Sequence, residues 1–144
     1  MALFSQNTKV EALKRAPLFE GLSRKELTQL ARTSEDLDIP AGKVLCKEGD
    51  VGSEFFVVLE GKAEVTRKRK KVATRGPGEF FGEIALLEDV PRMATVTAKT
   101  PLRCFVLTRQ SFRQLVDASP GVERKVLRAL ARRVVDLSGD PTLA

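Results

Sequence analysis

Near residue 35 the hydrophobic period of this chain changes from helical to two, and it keeps that period until about residue 107. Leu37 and Ile39 alternate with Asp36 and Asp38 before a Pro40-Ala41-Gly42 turn. Val44-Leu45-Cys46 is a short strand ended by Glu48-Gly49-Asp50 and Gly52. Phe55 to Leu59 is apolar throughout, and its aromatic and β-branched residues at that length mark a buried strand. Ala63 and Val65 alternate with Lys62, Glu64 and Thr66. Arg67 to Lys71 then forms a basic hairpin tip, Val72-Ala73-Thr74 the returning strand, and Gly76-Pro77-Gly78 the next turn. Thr95 to Ala98 and Arg103 to Leu107 complete the series. Short strands punctuated this closely by glycine and proline predict a barrel or jelly roll.

Helical signals flank the strands. Thr8 with Glu11 and Ser23 with Glu26 have capping-box spacing, and Leu22 and Leu27 bracket the second box as a hydrophobic staple. Val10 and Leu13 mark one buried face; Leu27, Leu30 and Ala31 mark another. Phe19 tucks inward from the Pro17-to-Gly21 turn. After the strands, Phe112, Leu115 and Val116 predict a short helix, and Ser119-Pro120 an N-cap with proline at the first helical position. The last helix carries Val122, Val126, Leu130 and Val134, with Leu127 and Leu137 widening the stripe. Arg124, Lys125, Arg128, Arg132 and Arg133 are read as its wet face. The stripe either packs on the strands or buries against a second copy, as a homodimer through this helix.

Composition removes several function classes. The chain has no histidine, which takes away the commonest general base and metal ligand. Its two cysteines, Cys46 and Cys104, stand apart in apolar strands, so they are read as buried free thiols and no metal site is expected. An enzyme is therefore not expected. No apolar run reaches the roughly 18 residues that span a bilayer, and the N-terminus lacks a signal-peptide pattern, so a cytoplasmic protein is expected. The net charge of +6 permits an acidic partner without specifying one.

The chemistry concentrates in Phe80 to Val96, FFGEIALLEDVPRMATV. Gly82 opens a short apolar helical turn, Ile84-Ala85-Leu86-Leu87, whose backbone N–H groups suit an anion. Glu83 offers an acceptor for sugar hydroxyls. Pro91 fixes the backbone before Arg92, a permanent cation with a planar fork of donors. Together these residues describe a phosphate site beside a ribose site.

The ordered combination of N-terminal helices, small β-roll, this segment and two C-terminal helices resembles the cyclic nucleotide-binding domain family, as in cAMP receptors and protein kinase A regulatory subunits. Gly82 to Ala94 matches that family's phosphate-binding cassette. Glu48-Gly49-Asp50, Gly52, Phe56 to Gly61 and Gly76-Pro77-Gly78 fall at its roll turns. The resemblance implies an α+β, mainly β fold: an eight-stranded β-roll or jelly roll with N-terminal helices and two C-terminal helices. It implies one stand-alone domain over 1–144, with helices in 8–33, the roll in 35–107, the cassette in 81–95 and the last helices in 109–137.

It also implies roles. Glu83 accepts the ribose 2′-hydroxyl, and Arg92 pairs with the cyclic phosphate. Backbone N–H groups of Gly82, Ala85 and Ala94 add donors, and Ile84 lies within the same cassette. Val72, Ala73, Met93 and Thr95 wall the base. Many members with Thr or Ser after the arginine prefer cGMP; Met93 stands there, so cAMP is expected over cGMP. Some members cap the base from the last helix, and here Leu127, Leu130, Arg132 or Arg133 would do so. On this reading ligand draws Gly82 to Leu87 inward, Leu86 or Leu87 repacks against Phe112 and Leu115, and the last helix moves. The output passes to an effector protein the sequence does not identify. A cAMP-responsive transcriptional regulator is the alternative, but only Ser138 to Ala144 follow the last helix, so nucleic acid is not the expected partner. A non-binding interaction domain of the same fold is the other alternative.

Overall fold

The computed structural model describes residues 6–82 and 90–138, with side chains for 9–82 and 90–135. Helix α1 (Gln6–Lys14), a 3-10 turn (Pro17–Phe19) and helix α2 (Arg24–Thr33) precede eight strands. These are β1 (Ser34–Ile39), β2 (Val44–Cys46), β3 (Glu54–Glu60), β4 (Ala63–Arg67), β5 (Lys70–Arg75), β6 (Phe80–Phe81), β7 (Thr95–Ala98) and β8 (Leu102–Thr108). Helices α3 (Arg109–Ala118) and α4 (Pro120–Ser138) follow. The strands form two antiparallel four-stranded sheets, ordered β1-β8-β3-β6 and β2-β7-β4-β5. This is the expected α+β roll with N- and C-terminal helices.

Side-chain alternation on the first sheet divides the interior in two. Phe55 and Val57 on β3, with Phe105 and Leu107 on β8, pack against Leu13, Phe19, Leu30, Phe112, Val122 and Val126 of the helical layer. Their neighbours Phe56, Val58, Cys104 and Val106 point the other way and meet Ala63, Val65, Val96 and Ala98 of the second sheet. A strand buried on both faces reads as a continuous apolar run, which is why Phe55 to Leu59 shows no alternation. Phe55 stacks on Phe112 with centroids 4.3 Å apart, and Phe56 on Phe81 at 4.8 Å.

Several local expectations change. The Ser23 box forms as read, with Glu26 N–H donating to Ser23 Oγ at 3.1 Å and Ser23 N–H to Glu26 Oε1 at 3.0 Å. Helix α1, however, already includes Gln6, so Thr8 lies inside it and is not its cap. Glu11 instead faces Arg24 at 3.6 Å. In strand β1 Ile39 is buried and Asp38 exposed as read, but positions 36 and 37 are inverted: Leu37 is exposed and Asp36 buried. The inversion is stable because Asp36 takes a two-pronged contact from Arg103, at 2.9 and 3.2 Å, so the buried carboxylate is paired. The two-residue strand β6, unforeseen in the sequence, pairs Phe80 and Phe81 with Val57 and Phe56.

Helix α4 also departs from its reading. Ser119 caps it, its Oγ accepting from Val122 N–H at 3.3 Å. Val122 and Val126 are buried and Leu130 packs on the core, but Leu127 and Val134 are exposed, so the apolar stripe is only partly covered; the side chain of Leu137 lies outside the described residues. Two of its cations leave the wet face. Lys125 Nζ donates to the carbonyls of Pro17 and Glu20 at 2.7 and 3.0 Å. Arg133 donates to the Phe80 carbonyl and lies over the Phe80 ring, 4.7 Å from its centroid.

The β4–β5 hairpin turns through Lys68 and Arg69, both with positive φ, 51° and 66°. A two-residue turn of this hand suits Asn-Gly; a residue with a long side chain there costs roughly 1–2 kcal/mol.

Neither Cys46 nor Cys104 forms a disulfide, and both are buried. Burial first, and the Asp36 charge second, push the Cys104 thiol up to about 12 from 9.0. The unfolded chain therefore loses this proton near pH 9 while the folded chain holds it to about pH 12. The stability linked to Cys104 is complete below pH 9 and falls by up to about 1.4 kcal/mol per unit across that window. Denaturant titrations at pH 8, 9.5 and 10.5 are expected to show this slope reduced in Cys104→Ala; equal slopes would show that the thiol does not set it.

Candidate functional site

Arg92 is a cation folded into the protein: its residue surface is 7% exposed. Backbone pairing places it, Arg92 N–H donating to the Asp50 carbonyl and Gly49 N–H to the Arg92 carbonyl, each at 2.8 Å. Its guanidinium is gripped by carbonyls, Nη1 to Gly82 at 3.0 Å and Nη2 to Glu54 at 2.8 Å. Among the described residues no carboxylate lies within ion-pair distance of it. Carbonyl dipoles orient the fork but do not neutralise it, and a buried cation without a counter-charge is expensive. The arrangement suits an anion.

Two glycines shape this seat. A Cβ at Gly52 would overlap Nε and Cζ of Arg92, so the guanidinium lies directly on the Gly52 backbone. Gly82, at φ +94°, would place a Cβ 2.8 Å from the Glu54 carbonyl and 2.9 Å from Arg92 Nη1. At this position a side chain is excluded by conformation and by space.

The same segment touches the C-terminal helices. Arg109, first residue of α3, donates its N–H to the Ser53 carbonyl at 3.0 Å and its Nη2 to the Gly52 carbonyl at 3.3 Å. Residues 52 to 54 are thus held by Arg92 from one direction and by Arg109 from the other. Gly52 was legible in the sequence only as a turn glycine, and Glu54 and Arg109 carried no signal there. Their contributions are backbone carbonyls or contacts between residues more than fifty positions apart.

The remaining expected residues are distributed as follows. Met93 is exposed, at 47%, and Ala94 packs on the inter-sheet cluster. Thr95 Oγ1 accepts from Glu48 N–H at 3.0 Å. Ala73 on β5 faces the inter-sheet cluster opposite Val65, while Val72 is 40% exposed. The pairing partner jumps from Ala73 to Lys71 between Val65 and Thr66, leaving Val72 as the extra residue of a bulge, a device that redirects a side chain. Glu83, Ile84 and Ala85 lie outside the described residues, as do Leu86 and Leu87. Of the expected capping residues on α4, Leu130 packs on the core, Arg133 is engaged with Phe80, and Leu127 and Arg132 are exposed.

The profile of the family described as cyclic nucleotide-binding domain matches residues 37–119. The chain belongs to that family. It is 41% identical over 106 residues to a cAMP-dependent protein kinase regulatory subunit of Yarrowia lipolytica, covering 72% of this chain and 28% of that one. It is 29% identical over 129 residues to a CRP-like cAMP-activated global transcriptional regulator of Mycobacterium tuberculosis, covering 86% and 58%. The solved structure of cAMP-bound PfPKA-R superposes with a TM-score of 0.85 at 26% identity, covering 95% of this chain and 49% of that one. The chain thus spans less than two thirds of the length of these curated relatives. Among the described residues no helix is long and apolar enough to cross a membrane.

Gly52→Ala is expected to unseat Arg92 and to cost about 1–3 kcal/mol, the range for stranding a buried polar group or overpacking a site. Gly121→Ala serves as a control, because a Cβ there meets only Ser119 Oγ at 4.0 Å. Denaturant unfolding should show Gly52→Ala clearly less stable and Gly121→Ala at or above wild type. Equal stabilities would refute the seat.

Proposed function

We propose that this chain is a cyclic nucleotide sensor that binds cAMP in preference to cGMP and passes occupancy to its C-terminal helices. The observation that carries the reading is Arg92: a buried guanidinium oriented by two carbonyls, with no carboxylate beside it among the described residues. A cyclic phosphate is a compact anion of matching geometry, and a fork that is already fixed loses little entropy on pairing. Glu83 takes the ribose 2′-hydroxyl, and the N–H groups of Gly82, Ala85 and Ala94, with Ile84 between them, complete the cassette. Met93, Thr95, Val72 and Ala73 form the base walls. Met93 places a thioether where a hydroxyl would be needed to contact guanine's exocyclic amine.

The helices receive the signal through residues 52 to 54. A phosphate drawing on Arg92 pulls on the Glu54 carbonyl, and the next carbonyls back along the chain are those held by Arg109 of α3. Phe112, one turn on, stacks on Phe55. Ligand shifts this equilibrium only by its differential affinity for the two helix positions. Residues 1–144 act as one cyclic nucleotide-binding domain in the cytoplasm that binds without catalysing a reaction, and its output is contact with an effector protein. The exposed part of the α4 stripe, Leu127 and Val134, is the surface for a homodimer.

Thermal unfolding tests the ligand. Nucleotide at 100 times its dissociation constant adds about 2.7 kcal/mol, a rise of roughly 5–10 °C in Tm. The rise should appear at lower concentration for cAMP than for cGMP. No rise with either at millimolar concentration would sink the proposal. By calorimetry, Arg92→Ala should lose about 3–5 kcal/mol of binding; binding within threefold of wild type would remove Arg92 from the phosphate site.

A further inference from the structure

The β4–β5 turn carries Arg67-Lys68-Arg69-Lys70-Lys71, five consecutive cations, all exposed. Three features of the structure work against cations at this place. Lys68 and Arg69 occupy the two positive-φ positions of a turn that Asn-Gly would fill without strain. Arg67 and Lys70 are directly paired across the strands, so like charges face one another. Among the described residues, none of the five forms an ion pair. The one carboxylate at the turn, Glu48, accepts from the Lys68 backbone N–H at 3.0 Å and so serves the turn's shape. Strained, mutually repelling cations that persist in a rigidly braced turn indicate that the charge itself is used.

We propose that this hairpin is a docking surface for the phosphate backbone of a nucleic acid duplex. Pairing sets Arg67 and Lys70 on one face of the ribbon, Lys71 opposite Thr66 on the other, and Lys68 and Arg69 at its end. Cations on both faces and at the end fit a groove walled by phosphates on two sides. The major groove, about 12 Å wide, admits a two-stranded ribbon. A planar lipid surface or a single acidic segment would meet one face only, and the tip has no apolar side chain to enter a bilayer. Contact is to phosphate, so it is salt-dependent and indifferent to sequence. Glu48 also ties the turn to the neighbouring strands: its N–H donates to Thr95 Oγ1, and the following Gly49 N–H to the Arg92 carbonyl. The surface is independent of the cyclic nucleotide reading and stands without it.

The test is fluorescence anisotropy of a labelled 20-bp duplex with the full chain between 50 and 200 mM salt. Three proteins are compared: wild type, Lys68→Asn/Arg69→Gly, and Lys14→Gln/Lys25→Gln, which removes the same charge elsewhere. The hairpin variant should bind at least tenfold more weakly, with a salt slope smaller by about 2. It should also melt about 2–8 °C higher, because Asn-Gly relieves the turn. The Lys14/Lys25 variant should bind within threefold of wild type. The proposal is overturned if the hairpin variant binds duplex like wild type, or if both variants weaken equally, which would mark a net-charge effect. It is also overturned if wild type prefers phosphatidylserine vesicles or polyglutamate to the duplex. A hairpin variant no more stable than wild type would remove the strain on which the inference rests.

Discussion

A guanidinium seated on a glycine backbone organises much of this structure. Arg92 can lie flat only because Gly52 has no side chain, and it stays there because the Glu54 and Gly82 carbonyls accept from its fork. Those two carbonyls belong to segments that are distant in sequence, the start of β3 and the exit from β6. The arginine thus staples the roll across the place where its own backbone is fixed by Gly49 and Asp50. The cation is structural, and among the described residues its guanidinium partners are carbonyl dipoles and not carboxylates.

The first sheet then makes that place consequential for the helices. Strands β3 and β8 are shared by two apolar clusters, one toward the helices and one toward the second sheet. Glu54 is followed by Phe55, whose ring stacks on Phe112 of α3. Arg109 contacts the same segment through its main chain and its side chain, so α3 is attached by hydrogen bonds as well as by packing.

How much of this was legible in the sequence depends on how local the cause was. The Ser23–Glu26 box, the apolar run of β3 and the Ser119-Pro120 helix start are fixed by neighbouring residues, and each appears where the pattern places it. The reversal at Asp36 and Leu37 in β1 was not legible, because Asp36 is admitted to the interior by Arg103, sixty-seven positions away. Likewise Lys125 and Arg133 read as a solvated helix face until folding brings the Pro17, Glu20 and Phe80 carbonyls beneath them. Arg92 was legible as a cation in a suggestive motif, but its seat was not. That seat is made of main-chain oxygen and the missing side chain of Gly52, neither of which has a sequence signature.

Strand β6 has only two residues and is the outer member of its sheet, where unpaired backbone groups could template association with another chain. Arg133 donates to the Phe80 carbonyl and covers the Phe80 ring, so one side chain of α4 takes the place of a further strand along this margin. Helix α4 is therefore a guard of this edge. A swing that carries Arg133 away leaves the Phe80 carbonyl to water or to a neighbouring molecule's strand. Solubility thus constrains where this helix can lie.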